Sequence, residues 1–600
     1  MAKTVKPLFL FLLLPLIAQS EQVFTIPEVE VIADTPELQT ASYRHIYTLS
    51  GEDIKALPAV SVNEIIAYLP GIDVRTRGAN GVQADVNMRG GTFDQIKVFI
   101  NGVNFSDPQT GHYTMNLPVD PSIIAKIEVS DGAINIITRP SPSTKSDRYS
   151  AQVTGGRWGL WEAGLSGSWI RDQHWHVASA QYNQSSGYID NTDYRLANLY
   201  YAMGFNGLEL QVGAQYKDAG ANSFYSLASQ DQYDATRTAF LSARYRHEWG
   251  NWGLDAQASY RANYDRYEWH RGTATNKHLN QTAAASVKAY YTYAIGKTLL
   301  GIEVRNENIL STGLGDTLTT RQGPFTLGKN RMNINYFLRQ SFQHEWFSAS
   351  LGFNGNYNTL SGSHFAGGLN LSFAFVPDGK IYVNANRTLR LPTFTDLYYH
   401  AGIQRGNIHL NPESHWTFDV GIQYEYKGLS LRANGYYRLG QDVIDWQLAD
   451  DQLYYATNIA RLDAAGSELT IRYHYGYWLK RIEASYSYAH SFLNGVDLTK
   501  SMYLDYLSHK LSLRLEHGIY KGFGASWELS YQVREGSYTT PQGSLEPYQP
   551  TWLLDGTVYW ANNFIRVALS ATNMTNTTYY CYGGIRQPGI LPRATIRVTL

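Results

Sequence analysis

"LWEAGLSGSW", Leu160 to Trp169, alternates with a period of two: Trp161, Ala163, Leu165, Gly167 and Trp169 share one face, and Glu162, Gly164, Ser166 and Ser168 the other. "LSLRANGYYR" sets Leu429, Leu431, Ala433 and Tyr437 against Ser430, Arg432, Asn434 and Arg438, and "KLSLRLEHG" sets Leu511, Leu513 and Leu515 against Ser512, Arg514 and Glu516. Such segments, about ten residues each, recur from roughly Arg148 to the end and are separated by Gly, Asn and Asp turn material. A soluble sandwich or propeller alternates in the same way, so the strand ends must discriminate. They carry Tyr and Trp, as in "YDRYEWH" at Tyr264 to His270 and "YHYGYW" at Tyr473 to Trp478, which suits two aromatic girdles at membrane interfaces.

Composition points the same way. The 600 residues include 46 Tyr, 14 Trp and 52 Gly, mean hydropathy is slightly negative, and no internal run of about eighteen apolar residues exists to make a helical span. A net charge of −1 without a basic run argues against a nucleic-acid partner. Cys581, the single cysteine, can form neither an internal disulfide nor a cysteine-ligated metal site by itself. The expected fold is an all-β membrane protein. Roughly 450 residues at about twenty per strand and loop give a transmembrane antiparallel β-barrel of about 22 strands over 147–600, wide enough to leave a lumen.

The residues before the barrel read as a small α+β domain that would fill this lumen. Residues 1–20 carry Lys3 and Lys6, the apolar "PLFLFLLLPLIA" and then "AQS", a signal-peptide pattern whose apolar core is too short to span a bilayer. "SGEDI" and "SVNEIIAYL" each open on a capping serine, Ser50 or Ser61, with Asp53 or Glu64 three places on, and Leu69-Pro70-Gly71 stops the second helix. "IKVFINGV" is a strand running into the tight-turn pair Asn101-Gly102, Arg89 stands before two glycines, and "RPSPSTKSD" from Arg139 to Asp147 reads as a linker.

At these residues the chain resembles the TonB-dependent outer-membrane receptors over essentially its whole mature length. "LPGIDVRTRGANGVQADVNMRGGTFDQIKVFINGV" and "IIAKIEVSDGAINIIT" resemble the family's plug, residues 39–140 here. "NRTLRLPTFTDLYY" with "GNIHLNPES", and "ATNMTNTTYYCYGGIRQPG", resemble its barrel signatures. One departure is local: where the family usually carries a longer glycine-rich stretch, only Ser130-Asp131 joins Val129 to Gly132.

The resemblance implies a transporter of the bacterial outer membrane, embedded in its lipid and energised by TonB with its inner-membrane partners. TonB would pair with an extended segment inside 21–38, for which Val29, Glu30, Val31, Ile32, Ala33 and Asp34 are the candidate, flanked by Pro27 and Pro36. A disordered tail is the alternative reading of the same residues. The implied ligand sites are apical plug loops: Arg75, Arg77, Asn80 and Gln83 in one, and Asp107, Gln109, His112, Tyr113 and Asn116 in the other. The plug pattern looks most like the cobalamin-receptor branch of Bacteroidota, in which a surface lipoprotein partner is common. By the same resemblance Asp190, Asp193, Asp231 and Asp234 offer oxygen ligands for a structural calcium, although turn-forming aspartates explain them more simply. No cofactor is required.

A ferric siderophore or haem receptor shares this machine and stays open as an alternative. A passive porin or adhesin would need neither the plug nor the Val29 to Asp34 segment. No HExxH, P-loop, strand-following GxGxxG or cysteine pair occurs, so an enzyme is not expected.

Overall fold

The computed structural model describes residues 47–140, 147–171, 174–225, 229–273, 276–476, 478–540 and 542–600. The signal-peptide pattern, the Val29 to Asp34 segment and most of the "RPSPSTKSD" linker lie outside these residues.

The alternating segments form one closed antiparallel barrel of 22 long strands, which the last strand, Leu591–Thr599, closes by pairing with the first, Arg148–Gly156. Side chains divide as the alternation requires: Trp161 and Leu165 stand exposed on the outer face, while Glu162 is buried inside. Many strands outrun the expected ten residues. Leu429–Leu448 and Tyr454–Tyr473 have 20 each, and pair along nearly their whole length, so this part of the wall rises beyond a bilayer's thickness. Short turns join strands at one rim and long loops at the other. The short-turn rim carries exposed Trp249, Trp252, Trp346, Trp478, Tyr520 and Phe564, and exposed Trp161, Trp269 and Trp552 mark the other end.

The lumen holds the N-terminal domain. Its sheet has the order β1-β6-β7-β4-β5, where β1 is Tyr47–Ser50, β4 Lys97–Ile100, β5 Val103–Asn104, β6 Lys126–Ser130 and β7 Ala133–Ile137; β2 (Ile72–Arg77) and β3 (Gln83–Met88) form a separate hairpin. Ser50 and Asp53 make the expected reciprocal capping box on helix Gly51–Ala56. The second helix, Val62–Ala67, differs. Ser61 accepts from the Glu64 amide, but the Glu64 carboxylate turns away to the Val60 amide at 2.8 Å and to barrel residue Arg593, since a buried cation attracts it more than a helix terminus can. Asn101 and Gly102 both take positive φ, 48° and 82°, as a two-residue hairpin turn demands. The short Ser130-Asp131 junction is a closed hairpin: Ser130 pairs with Ala133, and Gly132 at φ 70° makes the turn.

The domain's core, with Ile65, Ile66, Leu69, Ile100, Ile127 and Ile134 fully buried, continues without a break into barrel residues Val177, Tyr200, Ala202 and Phe240. Charge supplements this packing. The Lys510 ammonium donates to the carbonyls of Ala67, Leu69 and Ile72, each at 2.9 Å, and so ties the end of helix Val62–Ala67 and the start of strand β2 to the wall. Arg89, itself at φ 53°, reaches Glu468 at 2.9 and 3.1 Å, Asp419 at 2.9 Å and Asp131 at 3.2 Å.

Candidate functional site

The loop-bearing end of the plug is where a ligand arriving from outside would meet it. Hairpin β2–β3 and the segment 106–116 rise to this end, and each candidate side chain on them is buried beneath or against the barrel. They divide into separate groups.

Arg75, Arg77, Gln83 and His112 lie under a roof of aromatic side chains from three long loops. Arg77 pairs with Asp85 at 3.1 Å and faces the ring of Tyr582, whose centroid is 3.7 Å from the guanidinium carbon. His112 places Nδ1 2.7 Å from Asp85 and stacks on Phe93 at 4.4 Å. Tyr503 meets Phe93 edge-on at 5.1 Å, and the Gln83 amide donates to Tyr225 Oη at 2.9 Å. Burial pushes the Asp85 carboxyl up, but Arg77 and His112 more than offset it and hold it below the ordinary carboxylate range. Arg75 binds Asp505 at 2.5 Å and Asp73 at 3.3 Å.

Asp107, Gln109, Tyr113 and Asn116 face the strands between Tyr233 and Ser311 and the neighbouring wall. Asp107 takes Arg261 at 2.8 Å, Gln109 accepts from Asn280, Tyr113 donates to Asp234 at 3.2 Å, and Asn116 accepts from Lys217 at 2.8 Å. Asn80 stands apart, accepting from Arg593 at 2.6 Å. These residues therefore hold the plug and its cover together, and they do not form one open surface.

The roof residues Tyr225, Tyr503 and Tyr582 were not among the residues expected at the site. "TTYYCYGG" shows an aromatic, glycine-rich loop, yet nothing in its spacing reveals which ring will lie over Arg77. A further junction was equally hidden. Helix Phe394–Tyr398, capped reciprocally by Thr393 and Asp396, donates its Phe394 and Thr395 amides to the carbonyls of Pro108 and Gln109 at 2.9 and 3.0 Å. Beside it Arg390 gathers Asp396 at 2.7 Å, Asp94 at 3.1 Å and Glu413 at 3.4 Å. Burial lifts the Asp94 carboxyl to about 6, with Arg390 drawing it down and Asp396 pushing it up.

The side chains of the four aspartates considered for calcium have other neighbours or face different ways. Asp193 is taken by Arg271 at 2.6 Å, and Asp234 points into the lumen toward Tyr113. Asp190 and Asp231 accept through their backbone carbonyls, from Asn222 and Arg271. Among the described residues no three His, Cys, Asp or Glu groups converge as a metal site.

Comparison with known proteins agrees with this architecture. Residues 105–574 match the family model described as TonB dependent receptor-like, beta-barrel, and residues 39–140 match the TonB-dependent receptor plug domain. The chain is 22% identical over 486 residues to the vitamin B12 transporter BtuB of Photobacterium profundum, covering 75% of this chain and 76% of the other. It is 21% identical to that of Vibrio vulnificus, covering 71% and 72%. Among solved structures the ferric enterobactin receptor PfeA of Pseudomonas aeruginosa superposes with a TM-score of 0.75 at 12% identity, covering 94% of this chain and 99% of that one. The copper transporter OprC gives 0.76 at 14%, covering 92% and 99%. With both its barrel and its plug matched, the chain belongs to the TonB-dependent receptors, the plugged transporters of the outer membrane.

Proposed function

We propose that this receptor imports cobalamin into the periplasm, with TonB drawing on the Val29 to Asp34 segment. The observation that carries the ligand reading is electrostatic. The buried guanidinium groups beneath the roof are already matched to carboxylates: Arg75 with Asp505 and Asp73, Arg77 with Asp85, Arg390 with Asp94, Asp396 and Glu413, and Arg534 with Asp73. A polyanionic ferric chelate would have to draw a buried cation away from its partner, at a cost of several kcal/mol. A bulky, nearly neutral solute rich in amide groups would meet the rings of Tyr225, Tyr503 and Tyr582 without that cost. The two relatives named as vitamin B12 transporters, each matched over about three quarters of its length, support the same choice.

Titration calorimetry of the purified receptor with cyanocobalamin, and with ferric enterobactin and haem as competitors, tests the reading. Saturable binding of cyanocobalamin that neither competitor displaces is expected. Binding of an iron chelate in its place would overturn the solute and leave the transporter.

A further inference from the structure

The plug is not held equally on all sides. Along strands His174–Ser185, Tyr194–Phe205 and Tyr233–Trp249 it shares an apolar core with the wall, and Lys510, Arg534 and Arg593 fix it along Tyr506–Gly518, Phe523–Glu535 and Leu591–Thr599. The opposite wall is different in kind. Along strand Phe347–Asn358 the inward residues are Ser348, Ser350, Gly352, Asn354, Asn356 and Asn358, and along Gly362–Val376 they are His364, Ala366, Gly368, Asn370 and Ser372. The alternate residues, Leu351, Phe353, Tyr357, Phe365, Leu369 and Phe373, are exposed on the outside. Two adjacent strands thus present a lumenal surface of small side chains and amides from one rim toward the other, without a fixed charge or a large aliphatic group.

Between this wall and the plug lies a cavity of about 170 Å³, bordered by the amides of Asn104 of the plug and Asn335, Asn354 and Asn356 of the barrel and, at its margin, by the charged pair Asp94 and Arg390. Asn356 donates to Asn335 at 2.8 Å, yet among the described residues the Asn354 and Asn356 side-chain oxygens have no partner. Buried polar atoms in this position call for water, so the seam is wettable. Its upper end is covered by the 391–399 segment, anchored to the plug through Pro108 and Gln109.

We propose that plug and wall part along this seam during transport, and that the Ser, Gly and Asn faces of strands Phe347–Asn358 and Gly362–Val376 line the route of the solute. Three features support it. Separation here leaves the shared apolar core and the Lys510, Arg534 and Arg593 contacts intact and gives up only marginal ties, the Arg390–Asp94 pair and the Arg438–Gln95 hydrogen bond; amides can exchange hydrogen bonds with water or with a neutral polar solute at little net change; and small side chains leave width. The inference depends on the chain being a plugged transporter and not on which solute it carries.

The test uses the full-length receptor in cells with Cys581→Ser as background. Asn354→Cys on the seam and Ala202→Cys on the packed wall are exposed to a small, membrane-impermeant thiol reagent, with TonB present and absent. Labelling of Asn354→Cys at least about tenfold faster than Ala202→Cys, and faster again with TonB, is expected. Labelling of neither, or of Ala202→Cys first, overturns the proposal. In parallel, Gly352→Trp and Asn354→Trp fill the seam. Cyanocobalamin binding should stay within about twofold of the parent while uptake falls at least about tenfold. Parental uptake in both variants would also overturn it. If the parent takes up no cobalamin, the solute assignment fails by itself, and the labelling still decides the seam.

Discussion

Replacing Arg89 by alanine should weaken retention of the plug by about 3 to 5 kcal/mol while the barrel stays folded. The guanidinium is buried and holds Glu468 in two hydrogen bonds, Asp419 in one and Asp131 in a longer one. Truncation leaves these carboxylates close together without a cation, and proton uptake relieves only part of the repulsion. The backbone separates a second effect. Arg89 sits at φ 53°, a conformation as strained for alanine as for arginine but free for glycine. Arg89→Gly should therefore be less destabilised than Arg89→Ala by about 1 kcal/mol. Opening can be read from Ile65→Cys in a Cys581→Ser background, because Ile65 is wholly buried in the plug core. In mild urea the labelling rate follows the opening equilibrium, so the expected loss corresponds to labelling roughly 100- to 3000-fold faster, at tenfold for each 1.4 kcal/mol. A rate within about threefold of the parent in Arg89→Ala would refute the reasoning.

Other consequences are open to simpler assays. Val31→Pro should abolish uptake and leave ligand binding intact, because proline removes an amide donor that strand addition needs; normal uptake would remove this segment as the site of TonB pairing. Asp73 is buried, which raises its carboxyl, but Arg534 and Arg75 bring it down to about 2. Its folded value lies below the unfolded one, so its contribution to plug retention, about 2 kcal/mol, is complete above pH 4 and is lost as pH falls toward 2. Asp73→Asn should flatten this part of the pH profile of labelling. Tyr225→Ala should weaken cyanocobalamin binding about five- to tenfold in calorimetry through loss of an aromatic face, and unchanged affinity would take the roof out of the ligand site. Thr393→Ala should loosen the helix over Pro108 and Gln109 by about 1 kcal/mol through its lost cap, seen as faster hydrogen exchange at Phe394 and Thr395.

Much of this protein was settled locally, and local properties are what a sequence displays. The period-two alternation in "LWEAGLSGSW" and its counterparts determined strands with one face in lipid, because a strand turns successive side chains to opposite sides wherever it lies. The Asn101-Gly102 turn and the Ser50–Asp53 cap likewise followed from residues a few positions apart. The candidate site depended on pairs far apart in the chain. Glu64 left its capping role because Arg593 stands beside it, Arg77 lies under Tyr582, and Asp234 faces Tyr113 and not the other aspartates. Such partners are fixed by barrel closure and by the rotation of the plug inside it, and no spacing rule contains those two quantities. The Ser, Gly and Asn faces at 348–372 are written in the sequence, but that they border a wettable seam was decided only when the plug packed its apolar core against the opposite wall.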